Sequence, residues 1–499
     1  ARPATAAARG PWPRSSAAAR TRRRPGRVLF PTATFALFFL VVLPLSWLLM
    51  PNVHRWRPFI VAASYVFYGW WDWRFVFLLA GSTLWNQLLA TRIHAARAEA
   101  QRRALLALAV GGNLAVLGYF KYYDFFVSST QNLLSLVGLD VPLEVRSVVL
   151  PVGISFYTFM GISYVVDVYR RETEPTSLGR FAAYLSFFPH LVAGPIVRPN
   201  ELIPQLGAPR DPRRVDTSRG FYLIATGLFK KVVIANYLAA NIVDEVFAAP
   251  GEHSSLELLI AVYAYAVQIY ADFSGYTDIA IGIALLLGFR FPENFDSPYA
   301  AVSLQDFWRR WHMTLSRWLR DYVYIPLGGN RRGVATTYRN VLLTMLLGGL
   351  WHGAGWTFVA WGAIHGVGLA AGRWRRTRPG FVERPARGAR LLRQRLVTFH
   401  VVCFAWIFFR SESFGAAWEL LAGLLGGWGE PSPLVTSGVL AAIAVGIGSQ
   451  YLPARVPRRL MAGLSRLPVL GQAAVLAVAL LLTHALGPEG VAPFIYFQF

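Results

Sequence analysis

The sequence predicts an all-α protein that crosses a membrane several times. Of its 499 residues, 55% are hydrophobic and 14% are aromatic, which is too apolar a composition for a soluble domain. Apolar runs recur along most of the chain, and many are long enough to span a bilayer as a helix. The arginines fall mainly between these runs, as expected for the connectors of a membrane protein.

Twelve apolar stretches account for the predicted membrane segments. Six are long enough for a full crossing, namely 28–50, 104–126, 150–168, 220–247, 434–452 and 468–486. Four are shorter or interrupted, namely 58–72, 75–90, 181–197 and 396–409. The remaining two, 256–289 and 340–372, are too long for one straight crossing. We therefore expect roughly ten to twelve membrane segments, some of them broken or re-entrant.

Charge predicts which connectors share a side of the membrane. The basic connectors, which we expect to be cytoplasmic, are 91–103, 169–180, 198–219, 290–339 and 373–395. The connector 248–255 has no Lys or Arg and is expected on the opposite side. The positive-inside bias and anionic lipids explain the net charge of +23, so membrane lipids are predicted partners and nucleic acid is not.

The tail 1–27 conflicts with this orientation. It carries eight arginines and no acidic residue, which would hold the start of the first helix in the cytoplasm. It also lacks the 7–15-residue apolar core of a secretory signal. We expect the tail to be disordered or absent from the native product, with residues 28–499 forming one membrane domain.

Two apolar stretches contain the residues that break helices. Segment 181–197 has basic connectors on both sides and contains Pro189, Gly194 and Pro195, which favours a re-entrant path. Segment 340–372 also lies between basic connectors, and its glycines between 348 and 355 predict a break there. His352 would then lie at a broken helix inside the membrane domain.

Residues 303–322 have the pattern of an interfacial amphipathic helix. Ser303 precedes Asp306 at the spacing of a capping box. One helical face carries Leu304, Phe307, Trp308, Trp311, Leu315, Trp318, Leu319 and Tyr322, and the opposite face carries Arg309, Arg310, Arg317 and Arg320. His312 falls on the border between the faces. The arginines either anchor the helix at lipid headgroups or steer a phosphate-bearing ligand toward the membrane.

The histidines admit a catalytic and a structural interpretation. A metal site shared by His352 and His365 is excluded, because thirteen helical residues separate them by about 20 Å, and no GxSxG motif supports a hydrolase. His352 is either a general base or a hydrogen-bonding partner at the glycine break, and His365 is expected to be structural. His190 either lines a re-entrant cavity or caps it. The single cysteine, Cys403, lies in an apolar run, which excludes a disulfide framework and a thiolate metal cluster.

Asp272 and Asp278 are the acidic residues inside an apolar segment. Such carboxylates must face protein or water rather than lipid. We expect them to bond to a neighbouring helix or to pair with arginine, while a proton relay that combines them with the histidines remains an alternative.

Several segments resemble the membrane-bound O-acyltransferase (MBOAT) family, in particular its bacterial branch of the alginate O-acetyltransferase type. The matching segments are PVGISFYTFMGISYVVDVYR (151–170), FFPHLVAGPIVRPNEL (187–202), DFSGYTDIAIGIALLLGFRFPENFDSPY (272–299), DFWRRWHMTLSRWLRDYVYIPLGGNR (306–331), GGLWHGAGWTFVAWGAIHG (348–366) and APFIYFQF (492–499). They span nearly the whole chain from residue 28. The resemblance implies one MBOAT domain, a ring of helices around a central funnel, in a bacterial cell membrane.

The resemblance also implies a reaction and its residues. His352 matches the catalytic histidine of the family, and His312 matches its second conserved histidine. We expect Arg309, Arg310, Arg317, Arg320 and Trp311 to contact the acyl donor. That donor is acetyl-CoA or an acyl-carrier thioester, used as a substrate with no tightly bound cofactor and no metal.

The implied reaction carries an acetyl group from the cytoplasm to a hydroxyl of an extracytoplasmic polysaccharide, or to a partner acyltransferase that completes the transfer. Two alternatives remain open. One is D-alanyl transfer to teichoic acid from a carrier protein. The other is a transporter with a His/Asp proton relay, although no pair of matching halves supports it.

Overall fold

The structure is a computed structural model that describes residue 30 and residues 32–146, 148–382, 386–453 and 455–486. The tail 1–27, the first residue of the proposed membrane domain, residue 28, and the ending 492–499 lie outside the described residues. Every regular element in the described residues is a helix. The predicted all-α class is confirmed.

The described residues of the first half of the chain form nine α-helices. They are α1 (Ala33–Leu49), α2 (Val53–Gly69), α3 (Arg74–Ala95), α4 (Glu99–Leu117), α5 (Tyr123–Leu136), α6 (Ile154–Arg170), α7 (Leu178–Ser186), α8 (Phe188–Leu191) and α9 (Pro199–Leu202). A π-helical turn, Gly118–Tyr122, joins α4 to α5, so these two helices form one long rod.

The second half continues with thirteen helices among the described residues. They are α10 (Thr217–Leu228), α11 (Asn236–Leu238), α12 (Asp244–Ala248), α13 (Ser255–Leu286), α14 (Leu304–Arg310), α15 (Met313–Leu319), α16 (Val334–His352), α17 (Trp356–Thr377), α18 (Gly388–Arg410), α19 (Phe414–Gly423), α20 (Ser437–Gly448), α21 (Arg455–Arg466) and α22 (Val469–Leu486). The π-helical turns Phe229–Ala235 and Ala239–Val243 connect α10 to α12.

Four helices in the described part of the chain are long and apolar enough to cross a membrane. They are Glu99–Leu136, Thr217–Ala248, Ser255–Leu286 and Gly388–Arg410, and a fifth span results if the bent pair Ser437–Tyr451 and Arg455–Arg466 forms one crossing. Only 17% of the most apolar window of Glu99–Leu136 is buried inside the protein, so much of this rod presents apolar side chains outward. These helices support a multi-pass membrane protein. The number of ten to twelve membrane segments, and their arrangement as a ring, remain predictions.

Helix α13 corrects one sequence expectation. The stretch 256–289 was expected to be too long for one straight crossing, yet Ser255–Leu286 is a single continuous helix that begins with a capping box between Ser254 and Glu257. It packs inside the protein rather than against lipid, with 72% of its most apolar window buried, so the bilayer thickness does not limit its length. Glycines let α10 approach closely, since a Cβ at Gly227 would lie 2.5 Å from the carbonyl oxygen of Gly275.

The basic connectors meet at one end of the helices. Arg170 donates to the carbonyl of Asp321 at 3.0 Å, and Arg198 pairs with the Asp321 carboxylate at 2.7 Å. Arg317 pairs with Glu201 at 2.9 Å. Burial raises the pKa of Asp321, but hydrogen bonds from Arg320 and Arg198 outweigh burial and hold that pKa below its usual value. Connectors 169–180, 198–219 and 290–339 therefore share one side, as their charge predicts; we call it the arginine side.

The connector 248–255 lies at the other end of α13. Ser254 contacts Ser432 at 2.7 Å, and the Ser255 hydroxyl donates to the Gly423 carbonyl. At the far end of the same helix, Trp47 donates to the carbonyl of Leu286. A helix of 32 residues separates these ends by about 48 Å, enough to place them on opposite sides of a bilayer.

Both predicted broken segments are broken. Within 181–197, α7 ends at Ser186 and the short α8 begins at Phe188, and every residue of the segment except the half-buried Ala182 is buried in protein. Within 340–372, α16 ends at His352 and α17 begins at Trp356. The backbone of the first break is buried in protein, whereas the second break is buried at Gly353 and lines a cavity at Ala354; both surroundings are ones in which a membrane protein tolerates non-helical backbone.

Candidate functional site

The break between α16 and α17 places His352 inside the protein. A Cβ at Gly349 would lie 2.2 Å from the carbonyl oxygen of Phe358, so only glycine lets the two helices approach this closely. The His352 side chain is 3% exposed. Its ring lies 5.1 Å from that of Trp351, 5.0 Å from that of Trp361 and 5.3 Å from that of Phe409.

His312 also lies at a break, which corrects the amphipathic-helix prediction. Helix α14 ends at Arg310 and α15 begins at Met313, while His312 takes the left-handed conformation with φ of 42°. The change of direction turns the imidazole inward. His312 is therefore fully buried rather than on the border of a continuous helix.

Asn294 determines which nitrogen of His312 carries the proton. The Asn294 Oδ1 accepts hydrogen bonds from the backbone N–H and the hydroxyl of Thr314 and lies 3.2 Å from His312 Nδ1. Because an amide oxygen only accepts, Nδ1 must be the donor, which leaves Nε2 of a neutral ring as an acceptor. No described residue is within hydrogen-bond distance of His312 Nε2.

The two histidines, far apart in sequence, are neighbours in the structure. Their ring centroids are 6.4 Å apart, and the Trp351 ring lies 6.0 Å from that of His312. The structure therefore brings together the two residues expected to be catalytic.

The other singled-out histidines occupy apolar surroundings. His365 is fully buried, and its Nδ1 accepts a hydrogen bond from Trp308 Nε1 at 3.3 Å, as expected for a structural residue. His190 lies between the rings of Phe187 and Phe291. It packs in the broken segment and lines none of the cavities described below.

Lys121 and Tyr122 hold the end of α16, a contact that the sequence did not reveal. Lys121 Nζ donates to the carbonyls of Trp351, at 2.5 Å, and His352, at 3.2 Å. Tyr122 donates to the carbonyl of Leu350 at 2.9 Å. These bonds satisfy three carbonyls that the end of a helix leaves without a helical partner. The one feature of the sequence that could have indicated this contact is the single lysine in the apolar run 104–126.

A cavity of about 560 Å³ opens beside α14, α15 and α17. We call it the arginine cavity. Its basic lining residues are Arg309, Arg317, Arg320, Arg373 and Arg376. Three of these were expected at the donor, and two, Arg373 and Arg376, come from the end of α17 and were not.

Two residues expected to contact the donor do not line this cavity. Trp311 is fully buried against the rings of Phe307 and Trp406, which agrees with its predicted place on the apolar face, opposite the arginines. Its contact with the donor stays a prediction. Arg310 pairs with Asp306 at 2.9 Å and also lies outside the cavity lining.

A smaller cavity of about 260 Å³ lies at the opposite end of α6. We call it the Lys121 cavity, and it is lined by Trp71, Lys121, Leu150–Phe156, Val192 and Trp351. It meets α6 at Ile154, whereas the other end of that helix, Arg170, contacts Asp321 on the arginine side. About 24 Å of helix separates the two ends. Trp351 reaches the wall of the cavity, and His352 follows it directly.

The two carboxylates of α13 pair with lysines rather than arginines. Lys230 contacts Asp278 at 2.7 Å. Lys231 pairs with Asp272, and the side chains of this second pair are both buried. The expectation that these acids would bond to a neighbouring helix is confirmed, since both lysines belong to the segment that follows α10. Among the described residues, no group of three or more His, Cys, Asp or Glu side chains is arranged to hold a metal ion.

The chain belongs to the membrane-bound O-acyltransferase family. The family model described as "MBOAT, membrane-bound O-acyltransferase family" matches residues 116–410, a range that contains both Trp-His pairs, the arginine cavity, the lining of the Lys121 cavity except Trp71, and the lysine-aspartate pairs. The predicted enzyme class, a membrane-bound O-acetyltransferase, is thereby confirmed together with the relatives below.

Among its relatives, the chain is 39% identical to the probable alginate O-acetylase of Pseudomonas putida over 501 aligned residues, covering 95% of this chain and 100% of the relative. It is 37% identical to the peptidoglycan O-acetyltransferase of Helicobacter pylori, covering 80% of each. It is also 27% identical to the teichoic acid D-alanyltransferase of Bacillus subtilis, covering 52% of this chain and 69% of that protein.

Proposed function

We propose that this protein transfers an acetyl group from a cytoplasmic thioester, acetyl-CoA, through the membrane to an extracytoplasmic polysaccharide hydroxyl or to a partner acyltransferase. It would do so in the cell membrane of a bacterium. The observation that supports the proposal is the course of α16, whose residues Val341, Thr344 and Met345 line the arginine cavity and whose Trp351, next to His352, lines the Lys121 cavity. The names of the two O-acetyltransferase relatives support an acetyl group and a polysaccharide acceptor.

In the proposed reaction, neutral His352 accepts the proton of the acceptor hydroxyl. The oxygen attacks the thioester carbonyl, the carbon–sulfur bond breaks, and the thiolate leaves with the proton returned by the imidazolium. General base catalysis needs the imidazole neutral before the attack, and burial among aromatic rings favours the neutral form. His312, with Nε2 as an acceptor, is the second histidine available to bind or position a reacting hydroxyl.

The arginine cavity suits a donor that carries phosphates. Arg317 pairs with Glu201 and Arg320 pairs with Asp321. In the described part of the chain, Arg309, Arg373 and Arg376 have no acidic partner. Guanidinium groups bind phosphate oxygens through paired hydrogen bonds. We therefore assign donor recognition mainly to these three residues.

Kinetics with two donors test this assignment. Arg373→Gln with Arg376→Gln should raise the KM for acetyl-CoA about tenfold or more, because each removes a charged hydrogen bond. The KM for acetyl-pantetheine, which lacks phosphates, should stay unchanged. Equal changes for both donors would contradict phosphate recognition in this cavity.

Cysteine labelling tests the sidedness. Cysteines at the exposed positions Ala100, Arg331 and Arg390, in connectors whose charge predicts a cytoplasmic location, should resist an impermeant maleimide in intact cells and react after permeabilisation. A cysteine at exposed Glu252, next to the buried Ser254, should react in intact cells. The control is the protein without an added cysteine, whose own Cys403 is buried and should give little labelling. Labelling of position 331 from outside would reverse the donor and acceptor sides and overturn the cross-membrane proposal.

The alternatives receive less support. The pairing of Asp272 and Asp278 with lysines removes these carboxylates from a His/Asp proton relay. Transfer of D-alanine from a carrier protein is supported by a more distant relative that covers about half of the chain. A purified protein that cleaves a D-alanyl carrier thioester but not acetyl-CoA would favour that second reaction.

A further inference from the structure

Helix α21 separates its charged and apolar side chains onto opposite faces. At about 100° per residue, one face carries Arg455, Arg458, Arg459 and Arg466, and the other carries Val456, Leu460, Met461 and Leu464. All four arginines are exposed. Leu460, in the middle of the apolar face, is 60% exposed. This pattern is typical of a helix that lies at the surface of a bilayer.

The positive charge of α21 has no protein counterpart in the described part of the chain. None of its four arginines forms an ion pair there. The surrounding stretch 437–486 contains no Asp or Glu. A guanidinium group has five donors and forms paired hydrogen bonds with phosphate oxygens. The arginine face of α21 is therefore available to an anionic partner.

Both ends of α21 lie beside basic connectors. Before the helix, the Tyr451 hydroxyl donates to the carbonyl of Tyr299 at 3.1 Å, and the guanidinium of Arg395 lies 5.0 Å from the Tyr451 ring. After the helix, Ser218 donates to the side chain of Gln472 at 3.3 Å. The 12 residues of α21 extend only about 18 Å, which is too short to cross a bilayer.

The neighbouring helix α20 gives α21 a direction. Ser432, just before α20, contacts Ser254 at the start of α13, and Gly446 packs against Val267 farther along α13. Helix α20 therefore runs alongside α13, one of the predicted membrane spans. The stretch Ser437–Tyr451 then meets α21 at an angle of 92°. A helix nearly perpendicular to a spanning helix lies close to the plane of the membrane.

We propose that α21 lies in the membrane interface on the arginine side and binds anionic phospholipids. The arginine face contacts the headgroup phosphates, while Leu460 and its apolar neighbours lie among the upper acyl chains. In this arrangement the bent pair of α20 and α21 is not a single crossing. The inference goes beyond the proposed acetyl transfer, because it concerns the lipid that surrounds the protein.

The apolar face favours lipid over an acidic protein as the partner. Such a protein could compensate the arginines but would leave the opposite, apolar face in water. The next helix, α22, also presents apolar side chains outward, with Leu470 84% and Leu481 67% exposed. An anionic bilayer covers both surfaces and compensates the charge at the same time.

Quenching of one fluorophore by two spin-labelled lipids tests the proposal. The full chain carries an NBD group on a cysteine at Leu460 and is placed in phosphatidylcholine nanodiscs at low ionic strength. The nanodiscs contain an equal fraction of either phosphatidylglycerol or phosphatidylcholine with a nitroxide on the same acyl carbon. Both lipids should quench, and the anionic lipid should quench at least about threefold more strongly, because the arginines concentrate it.

Two double variants separate local recognition from net charge. Arg458→Gln with Arg459→Gln should lower the ratio of the two quenching constants to about one. Arg331→Gln with Arg332→Gln is the matched control, since it removes the same charge from exposed positions of a connector, and it should keep the native ratio. Equal losses in the two variants would assign the effect to net charge and overturn the proposal.

A second fluorophore position and salt complete the test with native arginines. NBD on a cysteine at Leu481 should be quenched equally by both lipids, because it lies in an apolar helix without arginines. The preference at position 460 should disappear at about 1 M NaCl, where the Debye length is about 3 Å. Absence of quenching at position 460 would place α21 away from the bilayer. Equal quenching there at low salt would exclude recognition of anionic lipid. Either result overturns the proposal.

Discussion

Two Trp-His pairs in this protein lie at helix breaks, yet they are fixed in different ways. At Trp311-His312 the histidine itself makes the turn, with a left-handed backbone, and its ring is held by Asn294. At Trp351-His352 the histidine is the last residue of α16, and glycines make the turn. Lys121 holds the carbonyls of this second pair.

The difference shows how one dipeptide can place an imidazole by two routes. A side-chain hydrogen bond fixes the orientation and tautomer of His312 directly. His352 is placed through its backbone and through aromatic packing, so its position depends on α4, α5 and α17. We therefore expect single substitutions around the two breaks to have different consequences.

The largest effect should follow removal of the His352 imidazole. His352→Ala should lower the rate of acetyl transfer from labelled acetyl-CoA by about 10²–10⁴-fold, the usual contribution of a general base. The rate is measured at equal membrane protein level. His365→Gln is the matched control, a buried histidine that contacts Trp308, and should stay within a few-fold. A His352→Ala rate within threefold of the native rate would remove this residue from the mechanism.

A smaller loss is expected at the first pair. His312→Ala should reduce the transfer rate by about 10- to 100-fold, the scale of losing one buried hydrogen-bonding group. Asn294→Ala should produce much of the same loss, because His312 would no longer be held in one tautomer. The double variant should be no worse than His312→Ala. Fully additive losses would show that Asn294 acts independently of His312.

The glycine break should be sensitive to a single methyl group. Gly349→Ala would place a Cβ 2.2 Å from the Phe358 carbonyl oxygen, and such overpacking costs about 1–3 kcal/mol of stability. Gly111→Ala on α4 is the control, since a Cβ there meets no atom within 4 Å. Thermal unfolding in detergent compares the two variants. Equal melting temperatures would show that α16 and α17 can move apart at no cost.

The smallest effect should come from Tyr122, which holds the second pair only through its backbone. Tyr122→Phe removes one neutral hydrogen bond and should cost about 1 kcal/mol of stability. The transfer rate should fall less than about fivefold, because Lys121 still holds the next two carbonyls. A loss as large as that of His352→Ala would mean that backbone placement, rather than the imidazole, limits the reaction.

Some of these features could be predicted from local sequence. The glycines between 348 and 355 lower the helix propensity of this segment, so a break near His352 was expected. The arginine-rich connectors were expected to share a side. The pattern of 303–322 failed because helical periodicity assumes a continuous helix, and it contains no signal that His312 will take a positive φ.

The sequence by itself determined the all-helical membrane class, the positions of the glycine break and the charge asymmetry, because hydropathy, glycine content and charge act within short segments. Only the tertiary structure decided that His312 lies beside His352, that Asp272 and Asp278 meet lysines, and that Lys121 binds the end of α16. Each of these contacts joins residues at least 40 positions apart. They depend on how the helices pack against one another, and no local pattern encodes that arrangement.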